Sequence, residues 1–278
     1  MSAWAIAVIA AASVADLRVP VDPASSYIRV ELCALGSCGS DTSPLSGYLE
    51  VALRPLRNPS ELALRDFDVQ ATESLTIRIS YGLLGRIDAV GTDLGAAHAD
   101  PGAHQPFVPI TGGEYAFVDV PYLMRGLVDY TATGIVCGLM QGAGLPCSDR
   151  IDLADQPPDT ADEITGTIEL VEGEVRLAAK ITITQPIDPD NPDLGTMAGT
   201  IILSGSVPLP APGDLDEDGD VDLNDFALFQ ACFNGAARPP ALPGCELADV
   251  DEDGDVDLND FASFQACFNG SGRPPACR

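Results

Sequence analysis

Residues 214–225 read Asp-Leu-Asp-Glu-Asp-Gly-Asp-Val-Asp-Leu-Asn-Asp, and residues 249–260 read Asp-Val-Asp-Glu-Asp-Gly-Asp-Val-Asp-Leu-Asn-Asp. Each run packs seven acids into twelve residues. Oxygen donors at that density suit a hard divalent cation. Calcium takes roughly six to eight oxygens at about 2.3–2.6 Å, and a twelve-residue loop offers them from positions 1, 3, 5, 7, 9 and 12. In the first run those positions hold Asp214, Asp216, Asp218, Asp220 (through its carbonyl), Asp222 (directly or through water) and Asp225. In the second they hold Asp249, Asp251, Asp253, Asp255, Asp257 and Asp260. Position 6 has to turn sharply, and glycine takes positive φ without steric cost. Gly219 and Gly254 stand there. The expected load is two calcium ions, one for each loop. Without a cation the acids repel one another, so part of the binding energy is folding energy.

The segments after the loops must position these ligands. A helix is expected from Leu223 to Phe233, with Asp222 as its N-cap and Asp225 in its first turn near the positive end of the dipole. Phe226, Phe229 and Phe233 recur at i, i+3 and i+7 and form an apolar face, and Asn234-Gly235 supplies a stop. Phe261, Phe264 and Phe268 repeat the pattern. Position 8 of each loop, Val221 or Val256, is expected to form a short β bridge through which the loops brace each other. Position 12 is Asp where an EF-hand usually has a bidentate Glu. The shorter arm either draws the helix closer or yields one fewer oxygen.

A calcium loop followed by a single helix, duplicated within residues 214–278, resembles a type I dockerin. The resemblance implies a small α, F-hand or EF-hand-like module that binds two calcium ions through the loop positions just named. It implies docking to a cohesin module of another protein, or to a cell-surface component. The family's recognition pair lies at loop positions 10 and 11, here Leu223-Asn224 and Leu258-Asn259. The two pairs are identical, which would allow two pseudo-symmetric docking modes. This chain departs from the family pattern in having Leu-Asn instead of the common Ser-Thr pair. It also carries a cysteine inside each helix, and an Arg-Pro-Pro tail leads to a further cysteine after each.

Composition bounds the rest. The net charge is −28, from 14 Lys+Arg against 42 Asp+Glu. That argues against nucleic acid and anionic membranes, whose affinity comes from clustered cations. An Ala-rich apolar run ending in Ser13-Val14-Ala15 reads as a signal peptide over residues 1–15, and nothing else approaches a transmembrane stretch. A secreted or cell-surface protein is expected. The eight cysteines fall into close pairs: Cys33/Cys38, Cys137/Cys147, Cys232/Cys245 and Cys267/Cys277. In an exported chain they read as disulfides. Local pairing is the simplest connectivity, although sequence alone leaves it open, and zinc is the competing use of the thiols.

Residues 16–207 read as a mainly β domain, a sandwich or open barrel, joined by a Pro-rich linker at 208–213 to the module at 214–278. Strand alternation marks Tyr27 to Cys33, Leu49 to Leu53, Leu75 to Ile79, Ile164 to Leu170, Glu174 to Leu177 and Ile181 to Ile183. Glu172-Gly173 is a hairpin turn, and Ser60 to Asp66 is the candidate for a short helix. Catalytic motifs are absent: no GxSxG, HExxH or phosphate loop occurs. His98 and His104, in a Pro/Gly-rich loop, are candidates for a metal or base role, and Asp188 to Asp193 for a further cation site or a rigid turn. Three readings follow for the large domain. The first is a non-catalytic β domain carrying a docking tag. The second is an extracellular polysaccharide-degrading enzyme or carbohydrate-binding protein. The third is a lipocalin-like barrel holding an apolar ligand.

Overall fold

The computed structural model describes residues 15–101, 105–186, 195–238 and 245–277. The signal-peptide segment, apart from Ala15, lies outside the described residues, as do His104 and Asp188 to Asp193. In chain order the strands are β1 (Ala15–Val21), β2 (Tyr27–Ala34), β3 (Ser37–Arg54), β4 (Glu61–Ala71), β5 (Leu75–Ser80), β6 (Gly85–His98), β7 (Val108–Pro109) and β8 (Glu114–Gly134). Helix α1 (Ile135–Gly142) follows, then β9 (Ser148–Asp152), β10 (Asp159–Val171), β11 (Glu174–Pro186) and β12 (Gly195–Pro208). Helices α2 (Leu223–Cys232) and α3 (Leu258–Cys267) belong to the C-terminal module.

The strands form where apolar side chains alternate with polar ones. In β5, Leu75, Ile77 and Ile79 are buried while Thr76, Arg78 and Ser80 face water. The Glu172-Gly173 turn joins β10 to β11, with Val171 opposite Glu174. The two short runs expected at Glu174–Leu177 and Ile181–Ile183 are one strand, β11. The segment Ser60 to Asp66 is not a helix: it runs into β4, with Leu62, Ala63 and Leu64 buried against β3. Tertiary pairing decides it, because a bulge at Arg65 of β4, opposite Glu50 and Val51 of β3, lets the irregular spacing of these residues sit in the ladder.

All the pairings are antiparallel, and they close. The ladder runs β3-β2-β12-β11-β10-β8-β6-β4, and β4 then pairs with β3 from Leu45↔Ala71 to Arg54↔Glu61. The result is an eight-strand ring. Strand β1 lies against β3 and touches β12, β5 pairs with β6, and β9 with β8. The ring's interior is the main core, with Val19, Leu53, Leu62 and Val120 fully enclosed. Burying such a side chain is worth about 1.5–3 kcal/mol. A second core lies under α1, where Val136 and Met140 cover Ile79, Ile87 and Ala132. The main core is not filled, however: an apolar cavity of about 230 Å³ remains inside the ring.

The chain leaves the barrel tightly held. Leu209, just past β12, is buried in the main core, and its amide donates to the Gly173 carbonyl at 2.8 Å. Leu247 packs against the same core, and the Arg57 amide donates to Glu252 Oε1 at 2.5 Å.

Candidate metal centre

Each acid loop is built onto the helix that follows it. Asp222 caps α2, its side chain accepting from the Asn224 amide at 2.6 Å. Asp225 completes the capping box by accepting from the Asp222 amide at 2.8 Å, and its other oxygen accepts from Leu215 at 2.7 Å and Asp216 at 3.2 Å. Asp257 and Asp260 do the same for α3, with Asn259, Asp257, Val250 and Asp251 as donors. The position-12 aspartate therefore ties the start of the loop to the helix N-terminus. Gly219 (φ 92°) and Gly254 (φ 95°) make the turn expected of them. Glu217 and Glu252 at position 4 also have positive φ (58° and 59°), a requirement the residue types did not signal.

The carboxylates converge. Oxygens of Asp214, Asp216 and Asp218 lie within 4.8 Å of one another, as do those of Asp220, Asp222 and Asp225. In the second loop the groups are Asp249, Asp251 and Asp260, and Asp255, Asp257 and Asp260. Asp253 Oδ1 accepts from the Asp255 amide at 3.2 Å, as Asp218 Oδ1 does from Asp220. Asp214, Asp220, Asp222, Asp225, Asp249, Asp255 and Asp260 are all buried. Among them Asp214 Oδ1, Asp220 Oδ1 and Asp255 Oδ1 have no hydrogen-bond partner. Burying an unpaired carboxylate costs several kcal/mol unless a cation compensates it. Burial, then the charge of Asp225, pushes the Asp214 carboxyl up to about 6. Burial pushes Asp249 up to about 7 against the Gly254 amide, with Asp260 adding to the rise. Asp216 and Asp251 are raised too, by burial first and then by Asp225 and Asp260 respectively. An oxygen-only donor set, with three buried oxygens unpartnered and four carboxyls resisting ionisation, fits a hard divalent cation.

The loops brace each other, although not through the expected valine bridge. Val221 and Val256 are fully buried, and no β bridge joins them among the described residues. Their carbonyls instead accept from the end of the other repeat's helix. Asn234 and Gly235 donate to Val256 at 3.1 Å, and Asn269 and Gly270 donate to Val221 at 3.1 Å. The position-7 side chains extend this exchange: Asp220 accepts from the Gly272 amide and Asp255 from the Ala237 amide. These braces come from residues that follow each helix, and the only sequence sign of them was that the tails repeat along with the loops.

Between the helices, Phe226, Phe229, Phe261 and Phe264 pack with ring centroids 5.5–6.4 Å apart. Phe233 and Phe268 lie at the rim of this face: their rings meet Phe229 and Phe264 at 6.2 and 6.1 Å, but they are exposed, at 44% and 40%. Both helices end one residue earlier than expected, at cysteines, and Phe233 and Phe268 are the C-caps, their amides still donating to the Phe229 and Phe264 carbonyls at 3.0 Å. The cysteines are bonded Cys33–Cys38, Cys137–Cys147, Cys232–Cys245 and Cys267–Cys277, and none is free for zinc. Leu223 and Leu258 stand on the first turns of α2 and α3, each 70% exposed, with Asn224 and Asn259 exposed beside them. His98, in contrast to its expected place in an open loop, ends β6 and is buried edge-on to Phe67, its Nδ1 accepting from the Asp100 amide at 3.1 Å.

Two acid loops, each capping its own helix and held by the tail of the other repeat, form a duplicated loop–helix module whose carboxylates suit a divalent cation. Residues 212–269 match the family model of the dockerin type I domain, and the region before them matches no family model. No curated protein sequence matches the chain. Dockerin domains bind calcium and occur in extracellular or cell-surface proteins. Among the described residues, no helix is long and apolar enough to cross a membrane.

Proposed function

We propose that this chain is a secreted or cell-surface protein whose C-terminal module, loaded with two calcium ions, docks a non-catalytic β-barrel domain onto a cohesin-like partner. The division is a signal peptide at 1–15, the barrel domain at 16–207, a short linker at 208–213 and the docking module at 214–278. The observation that carries the reading is the convergence of the loop carboxylates, among them the buried Asp214, whose Oδ1 has no hydrogen-bond partner. The ligands of the first ion are Asp214, Asp216, Asp218, the Asp220 carbonyl, Asp222 and Asp225. Those of the second are Asp249, Asp251, Asp253, the Asp255 carbonyl, Asp257 and Asp260. Bound calcium would supply positive charge that lets the buried carboxylates of Asp214, Asp222, Asp225, Asp249 and Asp260 stay ionised.

The chain's own residues do the rest. Asp225 and Asp260 couple each loop to its helix N-terminus, and the phenylalanine core sets the two helices against each other. Leu223-Asn224 and Leu258-Asn259 are then presented as two equivalent contact pairs. An exposed leucine beside an asparagine offers an apolar anchor and an amide that both donates and accepts. The test is a pull-down with purified cohesin modules, with and without a calcium chelator. Retention in calcium and release in chelator support the reading, with loss of retention when Leu223 and Leu258 are both replaced by alanine. Retention that ignores both calcium and the leucines overturns it. Turnover of a polysaccharide, lost on replacing a barrel carboxylate, would overturn the non-catalytic role of the barrel.

A further inference from the structure

We infer that the barrel interior is a binding site for one small, neutral, apolar molecule. The proposal concerns the large domain and stands apart from docking by the module. An eight-strand ring has an interior just wide enough to be filled by side chains or to hold one small ligand. This ring keeps about 230 Å³ open, lined by residues such as Leu64, Phe67, Val120 and Ile201. Protein interiors are normally close-packed, with few voids larger than a water molecule.

The space has an identifiable origin. Along β12 the inward positions are Met197, Gly199, Ile201 and Leu203, all bordering the cavity. Gly199 stands where the alternation calls for a large side chain. A Cβ built there would meet nothing nearer than Ile183 Cβ at 4.0 Å. Its neighbours on the same face show that the strand register would aim a longer side chain into the opening.

The lining also selects the chemistry. Each polar side chain that reaches the cavity is already engaged elsewhere. The Tyr115 hydroxyl donates to the Ala178 carbonyl at 2.9 Å and the Tyr122 hydroxyl to Asp159 at 3.0 Å. Arg125 is paired with Asp68, and the Gln185 amide donates to Asp159. A ligand with charges or several hydrogen-bonding groups would lose its water and recover few partners from a lining made mostly of apolar side chains. Cavities of about 150 Å³ lined by Leu, Ile and Phe stay dry and accept benzene. The larger space here suits an aromatic or short alkyl hydrocarbon.

The test uses the full chain in calcium, titrated with the neutral fluorophore N-phenyl-1-naphthylamine and then with toluene as competitor. Saturable one-to-one binding displaced by toluene is expected. Gly199→Leu should weaken it by about tenfold or more, with circular dichroism and calcium binding unchanged. If the leucine variant does not fold, Gly199→Val fills the same position with less bulk and should weaken binding in the same direction. No saturable binding by the wild-type chain, or equal binding by a folded Gly199 variant, overturns the proposal. So does binding that is lost when calcium is removed from a barrel that stays folded, because the probe would then sit on the module.

Discussion

The barrel and the C-terminal module handle buried space and charge in opposite ways. The barrel pairs carboxylates with its own arginines at the surface, as in Arg54–Glu61, Arg78–Asp88, Arg125–Asp68 and Arg150–Asp129. Hydrogen bonds from Arg78 and Arg86 hold Asp88 below the usual carboxylate range. Exposed pairs of this kind are screened by water and contribute little, so the barrel stands on its apolar core. The module buries seven aspartates, and its described arginines, Arg238 and Arg273, are both exposed. Its small phenylalanine core cannot compensate that charge alone. One region keeps its charges at the surface and leaves apolar space inside; the other buries carboxylates beside a small, filled apolar core.

The largest expected effect separates the two cores. Phe229→Ala or Phe264→Ala removes a ring from the centre of the module and should cost about 3–5 kcal/mol. Calorimetry should then show the module's transition lost together with calcium binding, and the barrel's transition in place. Leu203→Ala should lower the barrel's transition by about 2–5 kcal/mol and leave calcium binding unchanged. Loss of calcium binding in the barrel variant would break the contrast.

The next effect is in pH. Asp214 and Asp249 are raised in the folded, calcium-free module to about 6 and about 7. A carboxyl raised on folding contributes stability that is present below its unfolded value of about 3.9 and lost as pH rises through the folded value. The calcium-free module should therefore melt at a higher temperature near pH 5 than near pH 7.5. With saturating calcium the order should reverse, because the ion displaces those protons. Thermal scans of residues 208–278 within the full chain, followed by near-ultraviolet signals of the phenylalanines, check both signs.

Smaller effects sharpen the picture within the module. Asp222→Ala removes both the α2 cap and a first-loop ligand, and without calcium it should cost about 0.5–2 kcal/mol. The cost should grow when calcium is present, measured by melting in each condition. The smallest effect belongs to docking: Leu223→Ala alone should leave partner affinity near that of the wild type, because Leu258 presents the same contact. Surface plasmon resonance should show the loss when both leucines are replaced.

The module's loops, caps and helices were legible, because calcium chemistry ties oxygen donors to a fixed spacing within twelve residues and the duplication repeats the pattern. Its exposed Phe233 and Phe268 were not legible, since periodicity alone does not show where a helix stops. The crossed bracing through Val221, Val256, Gly272 and Ala237 joins residues distant in sequence and leaves no local pattern. In the barrel, alternation in β2, β5 and β10 was readable. The long strands β6 and β8 were not, because their runs of Gly, Ala and Tyr hold no steady period and β6 is interrupted by a bulge at Thr92/Gly95. Ring closure through β3 and β4, and the space it leaves at Gly199, depend on non-local pairing that a single sequence does not display.

The central claim is that two aspartate loops bind calcium and build the module. Isothermal titration of calcium into the calcium-free full chain, beside the Asp218→Ala/Asp253→Ala double variant, tests it most directly. The account predicts two sites in the wild-type chain and none in the variant, with the barrel's melting transition unchanged. Equal calcium binding by the two proteins would contradict it.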